Sequence, residues 1–389
     1  MTAGRRPVVE FPRLYRPTWA EVDLGVILAN LRKLKRRVRG AELLLVVKAN
    51  GYGHGAVEVA RAAEQAGLVR GFGVSSVEEG IALREAGIRR SILILGSLYP
   101  FESTMAAIRY GLTPTVASLE GARLIEQAAE SMERLHADGT QALPLSCHLK
   151  IDTGMSRVGV RWPAGREVVD YLERAPGVRL EGVFTHLACA ENDVPATRRQ
   201  LRQFRAAVRE IERRGRKIPC RHAANSAAAM RFPESRWDMI RPGLAAYGLY
   251  PGFAPALSLK TRIVFLKSVP RATPVSYGAL YRTRRKSRIA TLPIGYGDGL
   301  PRLISLARRG RPGVLLKGRR CPIVGAITMD MTMVDVSGVP DAAVGDEIVL
   351  IGRQGRAMVS AGDLAQAAQT IPYEIVTGLQ PRLPRIYIR

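Results

Sequence analysis

Acidic residues, cysteine and aromatic rings are all scarce in this 389-residue chain. Asp and Glu number 34 against 59 Lys and Arg, for a formal net charge of +25, and only nine of those cations are lysines. The four cysteines, Cys147, Cys189, Cys220 and Cys321, stand 42, 31 and 101 residues apart. With no CxxC pair and no dense framework, neither a metal site nor a disulfide scaffold is expected. No apolar run approaches the roughly 20 residues of a membrane span; runs such as Leu43 to Val47 are strand-sized, and no membrane partner is expected. The opening stretch MTAGRRPVVEFPRLYRP has two arginines but no apolar segment or small-residue cleavage site, so a cytoplasmic location is the expectation. Hydrophobic residues, at 47%, are plentiful enough to bury a core and exclude disorder for most of the chain.

The charge is uneven. Residues 1–248 carry +12 and residues 249–389 carry +13, so the second part is far more basic per residue. A basic field attracts polyanions. The clusters Arg282 to Arg288 and Arg308 to Arg320, however, lack interleaved aromatics, and no helix-turn-helix or finger spacing accompanies them. They read as solvated faces, and nucleic acid is not expected as a partner despite the net charge of +25.

Short apolar runs begin at Leu43, Gly71, Ile92, Thr113, Ser146, Leu180, Cys220 and Asp238. Between most of them lie segments of helical period, such as Ala56 to Gly67, Val77 to Gly87 and Ala196 to Gly215. Continuous apolar strands alternating with helices imply an α/β fold with a parallel sheet, and eight units over about 200 residues fit a closed (β/α)8 barrel. From Leu249 the pattern turns to β-branched runs punctuated by Gly, Pro and Asp, as in SLKTRIVFLKSV and DEIVLIG. The expectation is therefore a TIM-type barrel over residues 14–248 and a mainly β domain over 249–389. Residues 1–24, which include the strand-like TWAEVDL, would pair with the second domain.

Active sites of such barrels lie at the C-terminal ends of the strands. Polar residues that close apolar runs there are Lys48, Lys150, His186, Ser226 and Arg241. Lys48 ends LLLVV and precedes the glycine loop ANGYGHG. A lysine partly buried at a strand end loses hydration of its ammonium, its pKa falls, and its amine suits Schiff-base chemistry. On spacing alone a lysine snorkelling on the rim is the plainer reading.

The string VVKANGYGHG resembles the pyridoxal-phosphate lysine motif of the alanine racemase family. HLKIDTGMSRVG, FTHLA, ANSAA, RPGLAAYG, VSYGALY, PIGYGDG and IPYEI resemble that family's other signatures, in the same order, from about Tyr15 to the C-terminus. The resemblance implies a barrel plus a β domain, pyridoxal 5'-phosphate carried on Lys48, and interconversion of L- and D-alanine, for peptidoglycan or for alanine catabolism. It implies that Lys48 and Tyr277 are the two bases. Inversion requires a proton to leave one face of the α-carbon and return to the other. In the family the tyrosine comes from the partner subunit, so a homodimer with shared active sites is implied. The same resemblance assigns Arg241 to the pyridine nitrogen, with His186 orienting its guanidinium, and phosphate binding to Tyr52, Ser226, the backbone at Gly243 and Leu244, and Tyr373. Arg157 and the backbone at Met329 would meet the substrate carboxylate, Lys150 aligns with a lysine that many members carbamylate, and no metal is implied. Tyr373, a bulky neighbour for the substrate side chain, favours alanine. His54, His136, His148 and His222 are read as structural.

One departure stands out. Ala326 occupies a position where the family usually has an arginine in the corridor to the active site, so Ala326→Arg is expected to change apparent KM more than kcat. Rival readings are a barrel-type pyridoxal-phosphate decarboxylase and a basic scaffold binding nucleic acid or the cofactor. Neither needs a second base such as Tyr277.

Overall fold

In the computed structural model, which describes residues 14–135, 144–307 and 312–389, the described residues divide into two units, one within residues 27–253 and one of residues 14–26 with those from 254 to 389. His136, Arg308, Arg309 and Arg311 lie outside the described residues.

The strands in chain order are β1 (Thr18–Asp23), β2 (Glu42–Val46), β3 (Gly71–Val74), β4 (Ser91–Ile94), β5 (Thr115–Val116), β6 (Leu145–Asp152), β7 (Val160–Arg161), β8 (Val178–Phe184), β9 (Cys220–His222), β10 (Met239–Ile240) and β11 (Leu257–Arg262). In the first unit β10, β2, β3 and β4 pair in parallel, as do β5, β6, β8 and β9. Parallel bridges Leu93↔Thr113 and Asn225↔Arg241 join the two groups into a ring, closing an eight-stranded barrel. Leu43, Leu44, Leu45, Val46 and Val47 are all buried. Removal from water on both faces is why such a strand reads as an unbroken apolar run, and each such side chain contributes roughly 1.5–3 kcal/mol. The helices between the strands start where the sequence supplies caps: the Ser76 hydroxyl accepts the Glu79 N–H, and the Asp193 carboxylate accepts the Ala196 N–H. β7 is a short extra strand beside β6 that no apolar run announces.

In the second unit β1 lies between β11, antiparallel, and Arg385–Ile388, parallel. The sheet continues from β11 through Glu347–Gln354 and Gly313–Leu316 to Arg319–Pro322. A second sheet of Phe265–Val269, Ser287–Leu292 and Thr332–Asp335 and a small hairpin of Pro274–Val275 with Tyr281–Arg282 lie in the same unit.

The boundaries differ from those read in the sequence. The strand-like TWAEVDL pairs with the β unit as expected, hydrogen-bonded on both edges within it, so residues 14–26 group with that unit rather than with the barrel range that began at residue 14. At the other end the barrel unit extends past Gly248 to Phe253. Phe253 is held there by Tyr250 at 6.4 Å and by the Lys33 and Arg37 cations over its ring, while the Lys33 amine donates to the Gly252 carbonyl at 2.5 Å.

Candidate active site

Lys48 follows β2 at the C-terminal end of the barrel strands and is half-buried. Burial, and then the Arg157 charge, lower its pKa, while the Glu79 carboxylate opposes the shift. The residues after it turn the wrong way for an L-peptide: Ala49, Asn50, Gly51 and Tyr52 all have φ between 52° and 62°. Left-handed non-glycine residues cost about 1–2 kcal/mol each, so the turn needs external ties. The Glu79 carboxylate accepts the Ala49 N–H at 2.7 Å through one oxygen and the Ser75 N–H at 2.7 Å through the other. The Asn50 amide oxygen accepts the Ala56 N–H, and the Tyr247 hydroxyl donates to the Val46 carbonyl at 3.0 Å. Tyr52 stacks on Tyr247 with centroids 5.0 Å apart.

That stacking sets the Tyr52 hydroxyl against Gly243, where a Cβ would lie 2.6 Å from it, so only glycine fits. Ser226 opens the helix Ser226–Arg231, and its hydroxyl accepts the N–H groups of Gly243 and Ala245, each at 3.1 Å. Tyr52, Ser226, Gly243 and neighbouring Leu244 thus gather hydroxyls and backbone amides into one corner of the barrel mouth.

Arg241, just after β10, is buried, which pushes its pKa down to about 10 and leaves it a cation at neutral pH. One terminal nitrogen donates to His222 Nδ1 at 2.8 Å and to the His222 carbonyl at 3.1 Å. The other donates to the carbonyls of Thr185 at 2.6 Å and Ala223 at 3.0 Å. Among the described residues no acceptor takes its Nε–H. The imidazole expected to orient this guanidinium, His186, lies 3.5 Å away, at the edge of hydrogen bonding, while His222 makes the short contact. A lone histidine on an apolar strand carries no sign of this role, so the sequence reading missed it, as it missed Glu79 and Tyr247.

His186 is nevertheless part of the cluster. Burial first, and then Arg241, Arg157, Lys150 and Lys48, drive its pKa well below that of a free imidazole. Lys150, on β6, is pushed down to about 8 by burial and by the charges of Arg157, Arg241 and Lys48. Its amine donates to the Leu95 carbonyl at 3.2 Å and lies 5.5 Å from the centre of the Phe184 ring. Lys150, Met155, Arg157 and His186 line one small pocket. Arg157 sits on an exposed loop that Asp152 shapes, its Oδ1 accepting the N–H groups of Gly154, Met155 and Ser156 at 2.9–3.1 Å.

In the β unit Tyr277 occupies a tight turn and is 74% exposed. The turn is anchored by the Ser276 hydroxyl on the Ala326 carbonyl at 2.7 Å, and it passes so near Gly325 that a Cβ there would meet the Val275 carbonyl at 2.5 Å. Leu280, Tyr296, Met329 and Met331 are also exposed. The Met329 carbonyl accepts the Gly297 N–H at 2.9 Å. Tyr373 lies half-buried in the helix Pro372–Thr377. Ala326, expected to line an entry corridor, is only 1% exposed. An arginine there would have to bury or expel a guanidinium, so the expected KM effect of Ala326→Arg comes with a loss of stability.

The barrel mouth thus brings together cations from separate strands, while the carboxylates of Asp152 and Glu79 are committed to backbone N–H groups. An anionic, planar group that bonds covalently to an amine fits these residues: Lys48 for the bond, the Tyr52, Ser226 and Gly243 corner for a phosphate, and the Arg241 Nε–H for a ring acceptor.

Two domain families match most of the chain, the alanine racemase N-terminal domain over residues 22–251 and the alanine racemase C-terminal domain over residues 256–387. An alanine racemase of Symbiobacterium thermophilum is 47% identical over 387 residues, covering 96% of this chain and 97% of the relative. The crystal structure of alanine racemase from the D-cycloserine producer Streptomyces lavendulae superposes with a TM-score of 0.88 at 36% identity, covering 98% of each chain. That of the Bacillus anthracis alanine racemase, solved with bound L-Ala-P, gives 0.85 at 35% identity over 97% of this chain and 96% of the other. Agreement of this extent, in sequence and in three dimensions, establishes that the chain belongs to the alanine racemase family of isomerases.

Proposed function

We propose that the chain interconverts L-alanine and D-alanine with pyridoxal 5'-phosphate as cofactor. Lys48 and Tyr277 act as bases on opposite faces of the α-carbon, in a homodimer in which each site draws Tyr277 and Met329 from the partner subunit. The observation that carries this reading is the pairing of a half-buried Lys48 of lowered pKa with a buried arginine, Arg241, whose terminal nitrogens are committed while its Nε–H meets no acceptor among the described residues. When bound, the cofactor supplies the electron withdrawal that acidifies the α-hydrogen.

Each step left to the protein has a residue suited to it. Lys48 holds the cofactor and, once displaced by substrate, takes or returns a proton at its Nζ, which its lowered pKa favours. Tyr277 does the same at its phenolic oxygen from the other face, since one fixed side chain reaches only one face. Arg241 donates to the ring nitrogen without surrendering its proton, because even at about 10 its pKa lies well above that of a pyridinium. This moderates the electron sink and favours racemisation over transamination. Tyr52, Ser226, Gly243, Leu244 and Tyr373 hold the phosphate, and His186 stays neutral beside the ring. Arg157 and the Met329 backbone receive the substrate carboxylate, with Asp152 holding the loop. Lys150, part of it neutral near pH 8, can be carbamylated, and the resulting anion would hold Arg157. The exposed side chains of Tyr277, Leu280, Tyr296, Met329 and Met331 are what a subunit interface would cover. A cytoplasmic role in peptidoglycan or alanine catabolism fits this chemistry.

The test is chiral analysis of the product from L-alanine with added cofactor, beside Lys48→Ala and L-serine and L-lysine controls. D-Alanine lost in Lys48→Ala supports the reading. A folded, cofactor-loaded protein that forms no D-alanine refutes it.

A further inference from the structure

The hydrogen bonds behind Arg241 have a direction that can be worked out from donor counts alone. A guanidinium only donates, so His222 Nδ1, 2.8 Å from it, must accept, and the proton of His222 must sit on Nε2. That Nε2 lies 2.9 Å from His148 Nδ1, which must accept in turn and leave the proton of His148 on its own Nε2. Both rings are buried, and they meet edge to face with centroids 5.1 Å apart.

The surroundings hold both rings in place. Phe184 stacks flat on His222, with centroids 4.7 Å apart and planes 5° apart, and the Arg241 cation lies 5.2 Å from the centre of the same phenyl ring. His148 fits only because residue 182 is glycine: a Cβ there would lie 2.5 Å from His148 Cε1 and Nδ1. Charged and titratable groups bearing on the pair are Arg241, Arg70 and Glu181. Burial dominates, holding His148 at about 4 and His222 well below its usual range, so both are neutral under ordinary conditions.

We infer that His148 is a positioning residue: by accepting from His222 Nε2 it holds the His222 ring where Nδ1 accepts from Arg241, and so aims the remaining Nε–H of that arginine. This rests on the reading of Arg241 as the partner of the cofactor's ring nitrogen. Without His148, His222 has a buried N–H with no acceptor. Its ring then turns to find one, its Nδ1 leaves the guanidinium, and Arg241 loses the contact that aims its Nε–H.

The test uses holoenzyme labelled with 15N-histidine, in which two-bond 15N–1H correlations distinguish the tautomers, with His148→Leu and His148→Asn as variants. The Asn side-chain oxygen can stand where Nδ1 accepts. In the wild type, His148 and His222 should both read as neutral Nε2–H rings, unchanged from pH 8 to about pH 5.5. His148→Leu should alter the His222 pattern and lower kcat about tenfold, the worth of one hydrogen bond, with KM for alanine within about twofold. His148→Asn should restore the His222 pattern and most of kcat. A His222 that carries its proton on Nδ1 in the wild type overturns the inference, as does a His148→Leu protein with unaltered His222 signals and kcat. Should His148→Leu fail to fold, the wild-type spectrum and His148→Asn still decide. A wild type with the expected tautomers but no racemisation refutes the functional reading instead, leaving the His148 contact with His222 standing.

Discussion

Gly182→Ala gives the sharpest purely physical test of the barrel interior. The added methyl would sit 2.5 Å from two atoms of the His148 ring and 2.9 Å from a third, against an optimum of about 3.5–4.0 Å. The ring must retreat by roughly 1 Å, and such overpacking costs about 1–3 kcal/mol. The same retreat stretches the 2.9 Å contact between His148 and His222 out of bonding range, leaving a buried donor unpaired, for about another 1–3 kcal/mol. The sum, about 2–6 kcal/mol, would lower a urea midpoint by roughly 0.7–2 M at an m-value of about 3 kcal/mol/M. Two units can unfold separately, so the barrel should be followed alone. Of the three tryptophans, Trp162 and Trp237 lie in the barrel and Trp19 in the other unit, and a Trp19→Phe background makes fluorescence report the barrel. Gly121→Ala is the matched control: its new methyl meets only the Ser118 hydroxyl at 3.4 Å, inside a helix, and should be neutral or mildly stabilising. If Gly182→Ala unfolds at the same urea concentration as Gly121→Ala, the packing of His148 on β8 is not as described.

Tyr277→Phe removes one base and should abolish L-to-D conversion while the cofactor spectrum of the resting enzyme is kept; undiminished racemisation would take Tyr277 out of the mechanism. Asp152→Ala frees three N–H groups of the Arg157 loop and should raise KM for alanine several-fold with a smaller change in kcat, measured by coupled assay in both directions. Lys150 supplies a pH signature. Its folded-state pKa of about 8 lies below the ordinary lysine value of 10.5. Below pH 8 both folded and unfolded chains carry the proton; between about 8 and 10.5 the unfolded chain binds more protons, so stability rises with pH across that window. In carbon-dioxide-free buffer, Lys150→Met should flatten that rise in urea midpoints, and an unchanged slope would contradict the assigned pKa.

The barrel was legible because its strands are buried on both faces. Each of the eight runs from Leu43 to Asp238 coincides with a strand or its immediate neighbour, although β5 and β10 are only two residues long. β7 escaped because two residues beside β6 need no apolar pattern. The end of the barrel unit at Phe253 escaped because cations over a ring, not periodicity, hold that segment. At the site, Lys48, Lys150 and Arg241 stood out as charges closing apolar runs. Glu79 did not, since an acid in the first turn of a helix is ordinary and its tie to the Ala49 amide spans 30 residues. His222 and His148 were masked for a related reason: burial of a histidine says nothing of its partners, and their importance lies in a direction of donation that only distances reveal.

The placement of β1 also bears on how the chain is made. This strand is synthesised before the barrel, yet Thr18 bonds to a residue 243 positions later, and the other edge of β1 waits for Arg385–Ile388. The whole barrel can emerge and close while β1 stands with both edges open. During translation the molecule therefore carries an unsatisfied strand ahead of a finished domain, a template for pairing with another nascent copy. In TWAEVD the acids Glu21 and Asp23 alternate with Ala20 and Val22, so one face of the waiting strand is negatively charged and two copies laid side by side would repel. The repulsion turns to attraction when β11 arrives, because Lys260 then meets Glu21 at 2.9 Å.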